Sequence, residues 1–284
     1  MLRATHTTTY LYSEPVSICH TEVHLSPRNG GKQRVFEHHL SINPVPDFLS
    51  GRKDYFGNDV AYFSTHEPHQ TLTITSESLV EIRETGPAEP HPTPAWEEAR
   101  TEAHQHAEPS TLDAYQFVFE SPRVSLGTEF AEYASPSFQA GRPLLEAAMD
   151  LCHRIHTDFR YDRRATTVST PVAEVLANRR GVCQDFAHFT IACLRTLGLP
   201  ARYVSGYLRD ESLIGSEASH AWVSIFCPGL GWFDLDPTND VVADGHHLTL
   251  AWGRDYSDVA PVKGVALGGG EQIINVSVEV TPVE

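Results

Sequence analysis

Lysine is scarce in this chain of 284 residues and occurs only at positions 32, 53 and 263. The formal net charge is −16. Nucleic-acid backbones and anionic membrane surfaces attract clustered positive charge, which this composition does not supply. We therefore expect neither a nucleic acid nor a membrane as a partner.

Long apolar runs are also missing. No stretch approaches the roughly 18 apolar residues that span a bilayer, and the first ten residues lack the apolar core of a secretory signal. The cysteines, at 19, 152, 183, 193 and 227, lack both the short paired spacing of a zinc site and a disulfide framework. These absences favour a cytoplasmic protein with one reactive thiol and four buried cysteines.

The first 83 residues show strand periodicity. Apolar side chains alternate with polar ones from Cys19 to Leu25, from Phe36 to Ile42 and from Leu72 to Ile82. Clusters of Pro, Gly and Asn separate these runs, and none of the runs has helical spacing. We predict an N-terminal antiparallel β-sandwich over residues 1–85.

Proline is concentrated in one segment, at positions 87, 90, 92 and 94. Proline fits neither a helix interior nor a β-ladder, so we predict a linker over residues 86–110 whose proline-rich part is extended. The acidic, histidine-rich stretch from 97 to 108 shows no pattern that requires a place in the core.

Helical periodicity begins near residue 127. One helix face runs from Leu144 to Ile155, a short helix is predicted between Thr170 and Gly181, and a third runs from Cys183 to Gly198. Strand patterns follow at 201–208, 221–227, 232–236, 248–252 and 274–280. Helices followed by strands predict an α+β domain over residues 111–284, with the helix from Cys183 packed on an antiparallel sheet.

Cys183 lies at the predicted start of a helix, two residues after Gly181. Peptide dipoles and free N–H groups at a helix start favour negative charge, and therefore the thiolate form of a cysteine. The thiolate is the nucleophilic form. The position suits a catalytic nucleophile better than a buried structural thiol.

A histidine and two aspartates follow Cys183 along the chain. His220 begins one predicted strand, Asp234 and Asp236 share a face of the next, and a short turn separates the strands. If the strands pair as a hairpin, the imidazole and a carboxylate become neighbours across it. Cysteine, histidine and aspartate then form a catalytic triad, and spacing alone favours neither aspartate.

An acyl-transfer site also needs donors for an oxyanion. The backbone N–H of Cys183 is one candidate, because it lies at a helix start. Tyr161 and Gln184 are the candidates for a second donor. Trp222 and Trp232 are expected in the core or in a cleft wall, since indole rings bury well.

Sixteen histidines raise the alternative of a metal site. Three pairs have ligand-like spacing: His20 with His24, His104 with His106, and His153 with His156. None converges with cysteine or carboxylate into a full ligand set, so we predict no metal and no other cofactor. His188 falls on the far side of its helix from Cys183 and is expected to pack.

Several stretches of the sequence resemble the transglutaminase-like superfamily. They are residues 180–188, 198–207, 220–223, 228–232 and 236–239. The similarity is strongest to bacterial transglutaminase-like cysteine proteases and covers about residues 140 to 245. The segments 12–16, 25–28 and 54–58 are similar to the N-terminal β-region that accompanies such cores.

The resemblance implies a papain-like, transglutaminase-like core and thiol-dependent acyl transfer through a thioester. It makes Cys183 the nucleophile, His220 the base, and Asp236 rather than Asp234 the carboxylate that orients the histidine. It implies no calcium site, because the calcium sites of the animal enzymes lie outside the matched motifs. We predict hydrolysis of a peptide, protein or small amide substrate.

Two alternative functions have different signatures. A protein-glutamine gamma-glutamyltransferase would use the same residues with an amine rather than water as acceptor. A non-catalytic module that binds a protein or peptide would be expected to have lost Cys183, His220 or Asp236, and this chain keeps all three.

Overall fold

The computed structural model describes residues 1–83, 93–105, 108–210, 212–216, 218–243 and 245–283. The first strands are β1 (Leu2–Val23), β2 (Gln33–Asn43), β3 (Phe48–Lys53), β4 (Asp59–Thr65) and β5 (His69–Ile82). The middle elements are α1 (Trp96–Gln105), α2 (Pro109–Tyr115), α3 (Thr128–Ala134), α4 (Leu144–Asp158), β6 (Arg160–Tyr161), α5 (Val172–Asn178), β7 (Arg180–Gly181) and α6 (Cys183–Thr196). The last elements are β8 (Ala201–Leu208), β9 (His220–Cys227), β10 (Gly231–Asp236), β11 (Val241–Val242), β12 (His247–Gly253), α7 (Tyr256–Val259), β13 (Val262–Gly268) and β14 (Gln272–Pro282). This order confirms the predicted α+β class.

Strand β1 organises the N-terminal domain, because its two halves pair with different strands. Its first half pairs with β5 and β14, and its second half pairs with β4 and β13, all antiparallel. The strands form one sheet with the path β2-β5-β1-β4-β3. The sheet curls around an apolar core that includes Cys19, Phe63 and Ile74. The predicted antiparallel β-domain is present, as one sheet curled on itself.

The prediction that the last strand belongs to the second sheet is wrong. β14 pairs with β1 from Leu2 opposite Pro282 to Tyr12 opposite Gln272. The chain therefore returns at its end to the N-terminal sheet. Strand periodicity identifies a strand but not its partner, because pairing between the two ends of a chain leaves no local signal.

Two local predictions also change. α1 forms inside the predicted linker 86–110 and buries Ala99 and Ala103, while residues 84–92, most of the proline-rich part, lie outside the described residues. Phe36 is predicted to share one strand face with Leu40 and Ile42, which are partly buried, but Phe36 is 46% exposed. A bulge between Val35 and Glu37 breaks the alternation there.

The second sheet is antiparallel, with the order β11-β10-β9-β8-β12. α6 packs on its inner face, against alternate residues of β9 such as Val223 and Ile225. The helix begins at Cys183, as predicted, and ends just before Gly198, whose φ of +79° suits glycine. His188 packs as expected, buried and accepting the Tyr256 backbone N–H at 3.1 Å.

Candidate active site

Cys183 is the first residue of α6, and Asp185 fixes the segment before it. The Asp185 carboxylate accepts the Val182 backbone N–H at 2.8 Å and the Thr166 hydroxyl at 2.6 Å. It folds back over Gly181, where a Cβ atom would come within 2.6 Å of it. Glycine is therefore needed two residues before the thiol, and the helix start is held in place.

The two predicted side-chain oxyanion donors lie near Cys183. Tyr161 lies in β6, which pairs in parallel with β7 and places it opposite Gly181. Burial and the Cys183 thiol raise the pKa of Tyr161, so its hydroxyl keeps a proton to donate. Gln184 follows the thiol directly, and its side chain donates to the Val168 carbonyl at 3.4 Å. Their donor roles stay predictions.

Strands β9 and β10 form the predicted hairpin. Their antiparallel ladder ends where Leu235 lies opposite Val223. Asp236 is the next residue of β10, so it lies diagonal to His220 rather than directly across from it. Because strand side chains alternate, both point to the outer face of the sheet.

The Asp236 carboxylate is fully buried and accepts five hydrogen bonds. Oδ2 accepts from His220 Nε2 at 2.8 Å, from the Asn239 side chain at 2.8 Å and from His247 Nε2 at 3.2 Å. Oδ1 accepts the backbone N–H groups of Thr238 at 2.9 Å and Asn239 at 3.3 Å. A carboxylate only accepts, so both imidazoles carry a proton on Nε2.

Burial and charge act in opposite directions on this pair. Burial disfavours the imidazolium, but the Asp236 carboxylate and the Cys183 thiol outweigh it and raise the pKa of His220 to about 10. Burial also disfavours the carboxylate, yet His220 and His247 lower the pKa of Asp236 well below its usual range. At neutral pH the pair is therefore an imidazolium and a carboxylate.

Cys183 is the first residue of α6 and His220 the first residue of β9, and the charge of the Cys183 sulfur helps to raise the pKa of His220. Nε2 faces Asp236, so Nδ1 is the nitrogen available to the thiol. Nδ1 is buried and has no hydrogen-bond partner among the described residues. The loop before β9 packs over the same atom at Gly215, where a Cβ would come within 2.6 Å of it.

The structure distinguishes the two aspartates that spacing leaves equal. Asp234 points to the same sheet face but pairs with Lys32 of the N-terminal domain at 2.8 Å. Asp236 is the one that contacts His220. Trp222 is fully buried behind the imidazole, with the two ring centroids 6.3 Å apart and the planes nearly parallel. It packs in the core.

His247 is part of this site and was not predicted. It begins β12, is buried, donates to Asp236 and packs edge-on against Trp222 with ring centroids 5.1 Å apart. No motif surrounds it. The one sequence feature that could have pointed to His247 is its position directly before Leu248, where a predicted strand begins.

The paired histidines considered as metal ligands make separate hydrogen bonds. His20 bonds the Tyr62 hydroxyl, His24 the Ala260 carbonyl, His104 the Gly198 carbonyl, His153 the Asp240 carboxylate and His156 the Thr238 carbonyl. His106 lies outside the described residues. Within the described ranges, no group of three or more His, Cys, Asp or Glu residues could hold a metal ion.

None of the helices in the part of the chain that the structure describes is long and apolar enough to cross a membrane. The cytoplasmic location stays a prediction.

Comparison with known families gives two matches. Residues 2–81 match the bacterial transglutaminase-like N-terminal region, and residues 131–237 match the transglutaminase-like superfamily. The first match covers nearly all of β1 to β5. The second contains Cys183, His220 and Asp236.

Similar proteins of matching length occur in mycobacteria. An uncharacterized protein of Mycobacterium tuberculosis is 43% identical over 99% of this chain and 93% of its own length. A shorter similarity, 32% identity over 32% of this chain, relates it to 15% of the protein-glutamine gamma-glutamyltransferase of Pseudomonas aeruginosa.

A solved structure described as a "putative cysteine protease" from Cytophaga hutchinsonii has the same fold. Its TM-score is 0.78 at 21% identity, over 100% of this chain and 91% of its own. The shared fold extends over both domains. Together with the superfamily match, these findings support a cysteine-dependent enzyme.

Proposed function

This chain belongs to the transglutaminase-like superfamily, and from that premise we propose that it hydrolyses a peptide or amide bond through a thioester on Cys183. The observation that carries the proposal is the His220 imidazole, which is buried, bonds the Asp236 carboxylate and has its pKa raised by Asp236 and by the nearby Cys183 sulfur. A buried imidazolium between a thiol and a carboxylate is the arrangement that activates a cysteine nucleophile.

In the first step the imidazolium stabilises the Cys183 thiolate, which attacks the substrate carbonyl carbon. A carbon–sulfur bond forms and the carbonyl oxygen becomes an oxyanion. The backbone N–H of Cys183 donates to that oxygen, because the first turn of a helix has no carbonyl to accept it. Tyr161 or Gln184 supplies the second donor in this proposal.

The carbon–nitrogen bond then breaks as His220 gives its Nδ1 proton to the leaving amine, and the acyl group remains as a thioester. Water attacks the thioester, His220 takes a proton from it, and the carbon–sulfur bond breaks to release the acid and restore the thiolate. Asp236 holds Nε2 throughout, so that Nδ1 stays directed at the reacting atoms.

An amine in place of water gives the alternative, a protein-glutamine gamma-glutamyltransferase. The partial similarity to the Pseudomonas aeruginosa enzyme of that name favours it. Both reactions share the acylation step and differ in what attacks the thioester. If the protein were instead a non-catalytic binding module, the Cys183 thiol would be expected to be unreactive.

Selective alkylation tests the nucleophile. Iodoacetamide near neutral pH should label Cys183 fastest, because burial raises the pKa of Cys152 and Cys193, and that of Cys227 to about 11. His220→Ala should slow labelling at Cys183 alone. Equal labelling of all five cysteines would contradict the assignment.

A substrate panel distinguishes hydrolysis from transfer. Glutamine peptides, peptide anilides and small amides would be incubated with and without a fluorescent primary amine, and the products separated by mass. Hydrolysis yields free acid in both conditions, whereas transfer yields the labelled amide. Cys183→Ala should lose either product and the matched variant Cys227→Ala should keep it. Substrate turnover that persists in the Cys183→Ala variant would contradict the proposal.

A further inference from the structure

A cavity lies on the outer face of the five-stranded sheet, beside the His220–Asp236 pair. It is bounded by β8, β10 and β12 on one side and by residues 28–33 of the N-terminal domain on the other, and has a volume of about 190 Å³. Trp222 and His247 line it and also contact His220 or Asp236. The cavity does not include Cys183.

Arg202 forms the buried end of this cavity and is only 8% exposed. Its guanidinium carbon lies 4.0 Å from the ring centroid of Trp232 and 3.8 Å from that of Trp252. Neither a carboxylate within ion-pair distance nor a partner for its Nε is found among the described residues. A buried cation without a counter-charge is energetically unfavourable.

Arg28 brings a second guanidinium to the same indole. Its guanidinium carbon lies 3.5 Å from the ring centroid of Trp252. Two groups this close to one centroid must occupy opposite faces of the ring. Arg28 donates to Phe56 and Asn58, but its buried Nε, like the buried Trp222 Nε1, has no partner in the described ranges. Unused donors are therefore concentrated here.

The cavity is basic in a chain that is acidic. Its charged residues are Arg28, Lys32, Arg83, Arg202 and Asp234, and His247 is the other titratable group. Four positive side chains and one negative leave three net positive charges, against −16 for the chain. Lys32 is half exposed and bonds Asp234 at 2.8 Å, so it is accessible to solvent.

Burial also disfavours the protonated, positively charged form of Arg202. It lowers the pKa of Arg202 to about 9, with Asp234 opposing and Arg28 adding to the effect. An arginine stays charged in practice, so the unfavourable energy persists until an anion is supplied. A bound anion would remove it.

We propose that this cavity binds a small carboxylate anion through the Arg202 guanidinium. The two indoles cover the faces of that guanidinium and leave its edge, and a planar carboxylate can lie in the same plane and accept two hydrogen bonds there. The volume suits a molecule of a few heavy atoms. Asp234 adds one negative charge to the lining and so favours a monoanion over a phosphate dianion.

Tryptophan fluorescence tests the proposal, because three of the four tryptophans line the cavity. The full chain would be titrated with sodium acetate, then with sodium phosphate, replacing sodium chloride so that ionic strength stays constant. Acetate should give a saturable change that Arg202→Gln weakens about tenfold or more. Asp234→Asn should tighten acetate binding several-fold, because it removes the negative charge.

Two further variants keep the test decisive. Arg100→Gln removes a guanidinium that stacks on the fourth tryptophan, Trp96, outside the cavity, and should leave acetate binding unchanged. Lys32→Gln, at a half-exposed site, should weaken binding several-fold without a risk to the core, so it decides the matter if Arg202→Gln does not fold. Three results would each overturn the proposal. The fluorescence could change linearly with acetate concentration, Lys32→Gln could bind acetate as tightly as the wild type, or phosphate rather than acetate could give the saturable change.

Discussion

Two buried charges lie on the outer face of the five-stranded sheet, the Asp236 carboxylate on β10 and the Arg202 guanidinium on β8. Asp236 accepts five hydrogen bonds, one of them from an imidazolium. Arg202 is stacked between two indoles and has no ion-pair partner in the described part of the chain. Trp222, on β9 between them, contacts His220 and lines the Arg202 cavity.

The difference separates two uses of buried charge. A paired buried charge holds its partner in one orientation, and here it fixes which nitrogen of His220 faces the thiol. An unpaired buried charge contributes no such internal order and stays unfavourable until a partner from solution arrives. The first kind suits a reaction centre and the second suits a binding site.

The largest effect on stability is expected from breaking the His220–Asp236 pair. Asp236→Asn should lower the free energy of unfolding by about 3 to 5 kcal/mol, because it leaves a buried imidazole without its counter-charge. Asp234→Asn is the matched control, two residues away on the same strand face. It breaks an ion pair with an exposed lysine and should change stability by less than about 1 kcal/mol. Urea denaturation measures the free energy of unfolding of both variants. Equal losses in Asp236→Asn and Asp234→Asn would contradict the special role of Asp236.

The pH dependence of stability tests the same pair. The pKa of His220 in the folded protein, about 10, lies above its ordinary value of 6.5. Its contribution is therefore complete below pH 6.5 and is lost as the pH rises toward 10. A pKa raised from 6.5 to about 10 corresponds to up to roughly 5 kcal/mol, at about 1.4 kcal/mol for each pH unit. The difference in unfolding free energy between the wild type and His220→Gln should shrink by that amount over this range. A constant difference would contradict the paired imidazolium.

The features of the active site that depend on residues close together in the sequence could be predicted from it. A glycine before Cys183 and a short turn between β9 and β10 are local signals, and they locate the helix start and the hairpin. His247 reaches Asp236 from a different strand, and Arg202 meets indoles from two other strands. Such contacts depend on register between distant strands and on a β-bulge in β12, which no local pattern encodes.

A smaller effect is expected at His247. His247→Phe keeps the aromatic packing on Trp222 but removes the hydrogen bond to Asp236, and should lower the free energy of unfolding by about 1.5 kcal/mol. The pKa of His220, followed by NMR, should change in the same variant because Asp236 loses a donor. His247→Gln retains an N–H donor and should recover part of both. If His247→Phe matches the wild type in both readouts, His247 does not support the pair.

The smallest effect is expected where the charge is unpaired. Arg202→Met removes the guanidinium and keeps an apolar chain between the two tryptophans, so the lost cation–π attraction is offset by relief of an uncompensated charge. In acetate-free buffer the free energy of unfolding should change by less than about 1 kcal/mol, in contrast to Asp236→Asn. Acetate should then stabilise the wild type and not Arg202→Met, since a ligand stabilises only the form that binds it. A loss as large as that of Asp236→Asn would mean that Arg202 is paired within the fold, and the contrast between the two charges would not hold.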